Sequence, residues 1–197
     1  MMKDYTLTVF GAVIGLFLSV QAMAQTGLKT GATAPAFTAT DNAGKKVDLK
    51  TLLKTNKAVV LFFYRGQWCP YCNKQMKHIQ DSLQMLSGKG AYVIGVTPET
   101  DENIKTTVAK TKASYSIVQD KGYAIMNSYG VKYVMDEATV TKYKGYGLDM
   151  SKANGNAENV LPVPATYVIG SNGKILFAHF DKDYSKRASV KDILAVL

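Results

Sequence analysis

Two cysteines, three positions apart, are the residues of this sequence best suited to carry chemistry. They stand in the segment Trp68-Cys69-Pro70-Tyr71-Cys72, and the chain has no other cysteine. Pro70 suits the first turn of a helix, where a missing N–H costs no hydrogen bond, so Cys69 is predicted at a helix N-terminus. Unpaired N–H groups and the helix dipole favour a thiolate there. The pattern predicts an exposed, nucleophilic Cys69 and a shielded, resolving Cys72, as thiol–disulfide exchange requires.

Two other uses of the cysteine pair fit the sequence less well. A structural disulfide between Cys69 and Cys72 would close a very short loop, where the loss of unfolded-state entropy is smallest. A structural zinc site needs four ligands, and the chain adds only His78 and His179, which are both expected on the surface. The sequence therefore favours redox-active cysteines, with no metal and no cofactor.

A buried strand and an amphipathic helix are predicted on either side of the cysteines. The segment 57–64, KAVVLFFY, contains an uninterrupted apolar run that is typical of a central strand buried on both faces. Apolar residues then recur at spacings of 4, 3, 4 and 3 and predict one helix of about four turns: Cys72, Met76, Ile79, Leu83 and Leu86. Strands and helices alternate along the chain, and a hairpin at 162–178 precedes a helix at 188–197. This order predicts a layered α/β domain.

Residues 132–160 show no firm period and are rich in tyrosine, glycine and asparagine. Such a length is unusual for a structureless connection. The segment is therefore either a functional lid or contains elements that the pattern does not reveal. Tyr133, Tyr143 and Tyr146 are candidates to line a lid over the cysteines, although ordinary loop packing is the simpler interpretation.

The first 24 residues have the features of a secretory signal. Lys3 precedes an uncharged run of 14 residues from Leu7 to Val20, and Ala22-Met23-Ala24 supplies the small residues of a cleavage site. A helix of that run rises about 21 Å, short of the roughly 30 Å hydrocarbon core of a bilayer, so a cleaved signal is preferred to a retained anchor. We expect residues 25–197 to form one exported domain in the periplasm or cell envelope, without a permanent membrane span.

The chain is basic, but its charge is dispersed. Its 197 residues include 24 Lys and Arg against 15 Asp and Glu, a formal net charge of +9. The lysines occur in ones and twos, and the only arginines are Arg65 and Arg187. Nucleic-acid binding usually requires a clustered basic stripe. The charge therefore indicates a solvated basic surface, and we expect no nucleic-acid partner.

In addition to the cysteine motif, the chain resembles the AhpC/TSA branch of the thioredoxin superfamily, in particular its peroxiredoxin-like members. The segments that carry the likeness are GATAPAFTATDNAGKKVDLKTL at 31–52, FFYRGQWCPYC at 62–72, LPVPATYVIGSNGKI at 161–175 and DYSKR at 183–187. The resemblance extends over residues 28–197. It implies a thioredoxin-like fold, with a mixed central β-sheet sandwiched by α-helices and an N-terminal β-hairpin.

The same resemblance assigns candidate substrate-binding residues. Pro164 matches the cis-proline of the superfamily, which faces the two cysteines. Val163 would offer its backbone to an extended substrate, and Trp68 would bind substrate beside Cys69. The alternative for Pro164 is a trans proline in an edge strand.

The chain departs from true peroxiredoxins at the reacting centre. Those proteins carry P-x-x-x-T/S-x-x-C and a later arginine that activates the peroxide. Here Arg65, Cys69 and Cys72 fall on the proline, the hydroxyl residue and the peroxidatic cysteine, and the later arginine falls on Pro164, so that guanidinium is expected to be missing. Arg65 is a candidate stabiliser of the thiolate or the peroxide, its alternative being an ordinary strand-end charge. Helix position favours Cys69 as the nucleophile, whereas the family register favours Cys72.

Three functions follow from these observations. The first is an exported, peroxiredoxin-like enzyme that reduces hydroperoxides through Cys69 and Cys72 and is reset by a thioredoxin-like or other dithiol. The second is a thiol–disulfide oxidoreductase that acts on protein disulfides or thiols. The third is a binding module in which the cysteines are incidental and residues 132–160 form the interaction surface. The length of the resemblance favours the first.

Overall fold

Short strands and helices alternate in the computed structural model, which describes residues 25–155 and 158–197. The strands are β1 (Thr38–Thr40), β2 (Lys46–Asp48), β3 (Ala58–Phe63), β4 (Ala91–Thr97), β5 (Ser116–Gln119), β6 (Lys132–Val134), β7 (Val160–Pro162), β8 (Ala165–Gly170) and β9 (Ile175–Phe180). The helices are α1 (Leu49–Thr55), α2 (Pro70–Asp81), α3 (Leu83–Gly88), α4 (Asp101–Thr111), α5 (Ala124–Ser128), α6 (Glu137–Gly145), α7 (Met150–Asn154) and α8 (Val190–Ala195).

Five of the strands form one central sheet in the order β5-β4-β3-β8-β9. β3 pairs parallel with β4 and antiparallel with β8, which confirms the predicted mixed sheet. Every residue of β3 is buried, because helices cover both faces of the sheet. Leu61 and Phe63 pack in the layer that holds residues of α1 and α5, whereas Val60 and Phe62 pack in the layer of α2, α4 and α8.

The ends of β3 and β4 bring distant segments to one edge of this sheet. Phe63, the last residue of β3, lies opposite Val96 of β4 and Ala165 of β8. Because β3 and β4 are parallel, the residues that follow them leave the sheet side by side. The segment 65–69, which leads to the cysteines, therefore starts beside the segment 97–99.

The helix that carries the cysteines begins where the sequence predicted but is interrupted. Cys69 is the N-cap and Pro70 the first residue of α2, as expected. Ser82 then leaves the helical conformation, with φ −105° and ψ 6°, and its N–H is shared by the carbonyls of His78 and Ile79 at 3.2 Å each. The single predicted helix is therefore two helices, α2 and α3.

Residues 132–160 contain secondary structure that the sequence pattern did not reveal. β6 and β7 pair antiparallel, and α6 and α7 lie between them in the chain. Met135, Met150, Ala153 and Leu161 form a small buried cluster of their own, but α6 buries no residue. A helix without an apolar face leaves no helical period to read. We refer to residues 65–69 as the cysteine loop and to residues 135–155 as the cover, since residues of both segments line one cavity.

At the two ends of the domain, the described residues confirm the predicted hairpin and shorten the predicted C-terminal helix. β1 and β2 pair antiparallel and form the predicted N-terminal hairpin, whose turn is closed by Asp41 accepting the N–H groups of Ala43 and Lys45 at 3.0 and 2.9 Å. The C-terminal helix α8 is shorter than the predicted 188–197. The predicted signal lies outside the described residues, and within residues 25–155 and 158–197 no helix is long and apolar enough to cross a bilayer.

Candidate redox site

Both cysteines are thiols whose side chains are buried at the start of α2. Cys69 is 1% exposed and Cys72 is 0% exposed. The expected exposure of Cys69 is therefore wrong, because this N-cap residue packs within the apolar cluster that also holds Phe62 and Met76. Among the described residues, no three His, Cys, Asp or Glu side chains are grouped so that they could hold a metal ion.

Arg187, from the segment before α8, places its guanidinium against both sulfurs. Its Nη2 lies 3.4 Å from Cys72 Sγ and 4.0 Å from Cys69 Sγ. The family register placed the later arginine at Pro164, so its guanidinium was expected to be missing. Pro164 supplies none, but the chain brings a guanidinium from a different segment, which folds back onto the start of α2.

The surroundings of the two thiols shift their pKa values in opposite directions. Burial alone would raise the pKa of the Cys72 thiol, but the hydrogen bond from Cys69 and the charge of Arg187 outweigh it and lower the pKa to about 6. The hydrogen bond to Cys72 holds the proton of Cys69 and, together with burial, raises the pKa of Cys69 well above its ordinary value. These surroundings favour the thiolate at Cys72, as the family register suggested, rather than at Cys69, as helix position suggested.

Arg65 contacts Cys72 through its backbone rather than its charge. Its N–H points to Cys72 Sγ at 3.5 Å. Its guanidinium carbon lies over the rings of Tyr184, Trp68 and Tyr143, at 4.5, 4.9 and 5.6 Å from their centroids, and the guanidinium also donates to the Tyr143 hydroxyl. Cation–π contacts of this kind hold a charge in an apolar setting. The side chain of Arg65 thus connects the cysteine loop to the cover.

A cavity of about 330 Å³ opens beside Cys69, between the cysteine loop and the cover. The rings of Trp68 and Tyr143 meet edge to face across it, with centroids 5.8 Å apart, and Tyr146 stands at its rim, 73% exposed. Tyr133 lines a neighbouring cavity of about 370 Å³ instead. The structure thus brings Tyr143 and Tyr146 to the opening at Cys69, but not Tyr133.

The contacts of Tyr143 predict that the cover limits access to the thiols. A Tyr143→Ala variant removes the ring against Trp68 and the hydroxyl that accepts from Arg65, so local opening should cost less free energy. We expect N-ethylmaleimide to label the reduced thiols about five- to tenfold faster than in the wild type. Tyr146→Ala, at the same opening but largely exposed, is the matched control and should change the rate little. Equal acceleration by both variants would contradict a specific role of Tyr143.

Val163 and Pro164 lie next to this cavity rather than in it. They line the 370 Å³ cavity, and Arg65 and Tyr143 separate the two spaces because they line both. No cis peptide bond occurs among the described residues, so of the two alternatives for Pro164 the structure has the trans form. The N–H of Val163 donates to the Val131 carbonyl at 2.8 Å. This bond continues the pairing of β6 with β7 and occupies the N–H of the backbone that was expected to face a substrate.

Glu99, which follows β4, is a buried carboxylate beneath the cysteine loop. It is 0% exposed, its Oε1 accepts the N–H of Gln67 at 2.5 Å, and its Oε2 accepts the hydroxyl of Thr107 at 3.0 Å. Burial raises the pKa of Glu99. A side chain on Gly66 would bring its Cβ within 2.9 Å of Oε1, so the loop needs glycine to approach this closely. Glu99 thus holds the loop that precedes Cys69.

A Glu99→Gln variant tests this buried charge. Burial disfavours the charged form of Glu99, so its pKa is higher in the folded than in the unfolded protein. The free energy of unfolding therefore decreases as pH rises through the folded-state pKa of Glu99. The neutral glutamine keeps an acceptor for Gln67, and we expect the variant to gain thermal stability over wild type as pH rises. Loss of a nearby negative charge should also lower the pKa of the Cys72 thiol. Melting temperature and thiolate absorbance, each measured against pH, give the two readouts.

Glu102→Gln is the control for this experiment, because Glu102 is an exposed glutamate in the first turn of α4. It should show neither the pH-dependent gain nor the thiol shift. A Glu99→Gln variant that is less stable than wild type at every pH would show that the charge itself holds the loop.

The sequence analysis missed Arg187 and Glu99 as site residues, although each left a signal. Arg65 and Arg187 are the only arginines among the 24 Lys and Arg residues of the chain. Arginine at just two positions indicates that these positions require the planar guanidinium group, which lysine cannot replace. Glu99 comes two residues after β4, a strand that is parallel to β3 and pairs with it. Because neighbouring parallel strands end at the same edge of a sheet, this position could have placed Glu99 near the segment that leads to the cysteines.

Comparison with curated proteins finds two kinds of relative. Thiol-disulfide oxidoreductase ResA of Bacillus thuringiensis (strain Al Hakam) is 35% identical over 105 residues, which are 53% of this chain and 59% of that protein. Chloroplastic peroxiredoxin Q of Sedum lineare is 32% identical over 101 residues, which are 51% of this chain and 53% of that protein. The chain thus spans only between half and two thirds of the length of these relatives.

Solved structures and a family model extend the likeness beyond these segments. Peroxidoxin BcpB from Mycobacterium tuberculosis superposes with a TM-score of 0.67 at 22% identity, covering 86% of this chain and 96% of that one. The thioredoxin domain of a thiol-disulfide oxidoreductase from Bacteroides vulgatus gives 0.54 at 20% identity, covering 80% and 93%. At such identities the likeness establishes a shared thioredoxin-like fold. The model of the AhpC/TSA family matches residues 30–178, which are most of the sequence. This chain therefore belongs to the AhpC/TSA family.

Proposed function

We propose that this protein is a thiol-dependent peroxidase in which Cys72 attacks hydroperoxides and Cys69 resolves the product. The observation that carries the proposal is the Arg187 guanidinium 3.4 Å from Cys72 Sγ. A fixed cation at this distance favours the thiolate and can donate hydrogen bonds to oxygen as charge develops on it. The backbone N–H of Arg65, at 3.5 Å, gives the same sulfur a second donor.

The proposed reaction begins with the Cys72 thiolate. Its sulfur attacks one peroxide oxygen, an S–O bond forms as the O–O bond breaks, and the second oxygen leaves as an alcohol or water after taking a proton. The sulfur is oxidised by two electrons to a sulfenic acid, and the peroxide is reduced by two. The Cys69 thiol then attacks the Cys72 sulfur and expels water, which leaves a Cys69–Cys72 disulfide. An external dithiol, thioredoxin-like or other, returns the pair to two thiols.

Burial of both sulfurs supports a small substrate. Cys72 is 0% exposed and Cys69 is 1% exposed, so a protein disulfide reaches neither without movement of the cover. A hydroperoxide group fits the 330 Å³ cavity beside Cys69, where Trp68 forms a wall; Cys72 does not line this cavity, so the peroxide would pass Cys69 to reach it. We assign Val163 and Pro164 to the wall of the neighbouring cavity, which would hold the organic part of a larger hydroperoxide.

Thiol–disulfide exchange is the second candidate function. Two observations favour it: the similarity to thiol-disulfide oxidoreductase ResA, and two cysteines one helical turn apart at the start of α2. In this case an open cover would expose Cys69 to a protein disulfide, and Cys72 would resolve the mixed disulfide.

Peroxide kinetics distinguish the two functions. The reduced protein is mixed with hydrogen peroxide, and oxidation is followed by the fluorescence of Trp68, the single tryptophan. A peroxidase should react at least about a hundredfold faster than free cysteine at the same pH, given an organised guanidinium donor. A rate equal to that of free cysteine, together with rapid reduction of insulin disulfides, would overturn the peroxidase and favour exchange.

We also propose that the protein is exported. The uncharged run from Leu7 to Val20 and the small residues at 22–24 support removal of residues 1–24. Expression of the full chain followed by mass determination of the protein recovered from the envelope fraction tests this. A mature protein that begins at Gln25 is expected, and an intact N-terminus in the cytoplasmic fraction would contradict the proposal.

A further inference from the structure

A cleft of about 510 Å³ lies on the other side of Arg187, between α2 and the segment that precedes α8. Arg187 lines this cleft and also contacts both sulfurs. Tyr71 lines both the cleft and the cavity beside Cys69. Arg187 and Tyr71 therefore each connect the cleft with the surroundings of the cysteines.

The charges around the cleft suit an anion. Lys74, His78 and Arg187 line it. Among the lining residues, all of them within the described part of the chain, Asp81 is the single acid, and its charge is matched by Lys77 at 3.4 Å. A carboxylate in the cleft would meet basic groups without a competing free carboxylate.

Two polar atoms at the cleft have no partner. Gln75 is 5% exposed; its Nε2 donates to the hydroxyl of Thr166 at 3.2 Å, but its Oε1 has no hydrogen bond. A hydroxyl both donates and accepts, so either orientation of the amide leaves one polar atom of Gln75 unpaired. The Nε of Arg187 is likewise buried without an acceptor. Such unpaired buried groups are costly, and a polar ligand in the cleft would satisfy them.

We propose that this cleft binds a small thiol that carries a carboxylate, and that such a thiol reduces the Cys69–Cys72 disulfide alongside the external dithiol. The carboxylate accepts from Arg187 Nε and lies near Lys74, while the thiol arm passes Tyr71 to reach Cys69. An Arg–carboxylate hydrogen bond is about 2.8 Å long, so the width of one guanidinium group separates the bound carboxylate from the sulfurs. The inference rests on the proposed function for the formation of the disulfide.

The reduction balances with two molecules of thiol. The first, as a thiolate, attacks Cys69 Sγ; the Cys69–Cys72 bond breaks, and Cys72 leaves as the thiolate beside Arg187. The second thiol attacks the sulfur of the bound molecule in the mixed disulfide and releases the Cys69 thiol, which takes the proton. Two small thiols are oxidised to one small disulfide, and the protein disulfide is reduced to two thiols. A sulfur with a low pKa is a good leaving group in such exchange.

Reduction kinetics of the oxidised protein test the cleft. The disulfide is formed with diamide, so the experiment does not depend on peroxidase activity. Its reduction is followed by Trp68 fluorescence with 3-mercaptopropionate and with 2-mercaptoethanol, at matched thiolate concentrations. We expect saturation with 3-mercaptopropionate, competitive inhibition by 3-(methylthio)propionate, and a linear dependence on 2-mercaptoethanol.

Lys74→Glu and Lys105→Glu form a matched pair of variants. Both make the same charge change at a helical lysine, but only Lys74 lines the cleft, whereas Lys105 is exposed in α4. Lys74→Glu should reduce the rate with 3-mercaptopropionate by about fivefold, with a smaller effect of Lys105→Glu. Neither should change the rate with 2-mercaptoethanol, which also shows that the variants are folded.

Equal effects of the two variants, or rates that depend linearly on the concentration of both thiols, would contradict binding of the thiol in the cleft. Failure of the proposed function would look different. The protein would then react slowly with peroxide in the fluorescence experiment, whereas the diamide-formed disulfide would still report on the cleft.

Discussion

A Cys72→Ser variant should lose hydroperoxide reduction, with a rate constant reduced by at least about a thousandfold. The reason is the unequal acidity of the two thiols: the pKa of Cys72 is lowered to about 6, while hydrogen bonding and burial keep Cys69 protonated. The variant loses the thiolate that Arg187 stabilises, and burial still raises the pKa of the remaining Cys69 thiol. The oxidation rate measured by Trp68 fluorescence checks this directly.

The complementary Cys69→Ser variant should behave differently. Its serine hydroxyl still donates to the Cys72 thiolate, so the first oxidation should proceed at close to the wild-type rate. Without a resolving thiol, the reaction should stop at a sulfenic acid, which dimedone traps and mass spectrometry detects. Retained oxidation in Cys72→Ser and its loss in Cys69→Ser would reverse the assigned roles.

The pH dependence of the wild-type rate follows from the same thiolate. Because Cys72 reacts only when deprotonated, the oxidation rate should rise with pH, reach half its maximum near pH 6, and stay level through neutral pH. A half-maximum near the ordinary thiol pKa, about 8.5, would show that the site does not activate Cys72.

An Arg187→Met variant should reduce the oxidation rate at pH 7 by about a hundredfold or more. Removing the guanidinium takes away the cation 3.4 Å from Cys72 Sγ, so the pKa of Cys72 should rise toward that of an ordinary thiol. The donor that would stabilise charge on the peroxide oxygen is lost as well. Thiolate absorbance at 240 nm, followed against pH, separates these two contributions.

Two variants control this experiment. Arg187→Lys keeps a positive charge without the planar fork of donors, so it should restore part of the pKa shift but less of the rate. Lys186→Met removes a charge from the adjacent residue, which is exposed and pairs with Asp181 at 3.7 Å. It should leave both readouts unchanged. Equal losses in Lys186→Met and Arg187→Met would show that only the general basic charge of the segment matters.

Local sequence was sufficient for the elements around the cysteines. An uninterrupted apolar run predicts a buried strand, and β3 is buried at every residue. Pro70 marks the first residue of α2, with Cys69 as the N-cap. These features depend on neighbouring residues along the chain, so spacing and residue type reveal them. The mixed sheet and the N-terminal hairpin followed from the family resemblance, which spans most of the chain.

Prediction from the sequence failed where the structure depends on contacts between distant segments of the chain. α6 has no apolar face and buries no residue, so the segment 132–160 showed no period. Pro164 matched a family position in sequence, yet it is trans and lies in the cavity next to the one at Cys69. Helix position favoured Cys69 as the thiolate and the family register favoured Cys72, and the sequence could not decide between them because the contact of Arg187 with the sulfurs is made only in the fold.

The sequence by itself determined that two cysteines begin a helix after a buried strand, and hence that the chemistry is that of thiols. Only the tertiary structure showed which charged groups surround each thiol and favour ionisation of Cys72. Arg187 is far from the cysteines in sequence but lies 3.4 Å from Cys72 Sγ, and Glu99 comes from the neighbouring strand. Coulomb interactions depend on distance and burial in space, not on separation along the chain. The acidity of Cys72 therefore follows from how the fold brings these segments together.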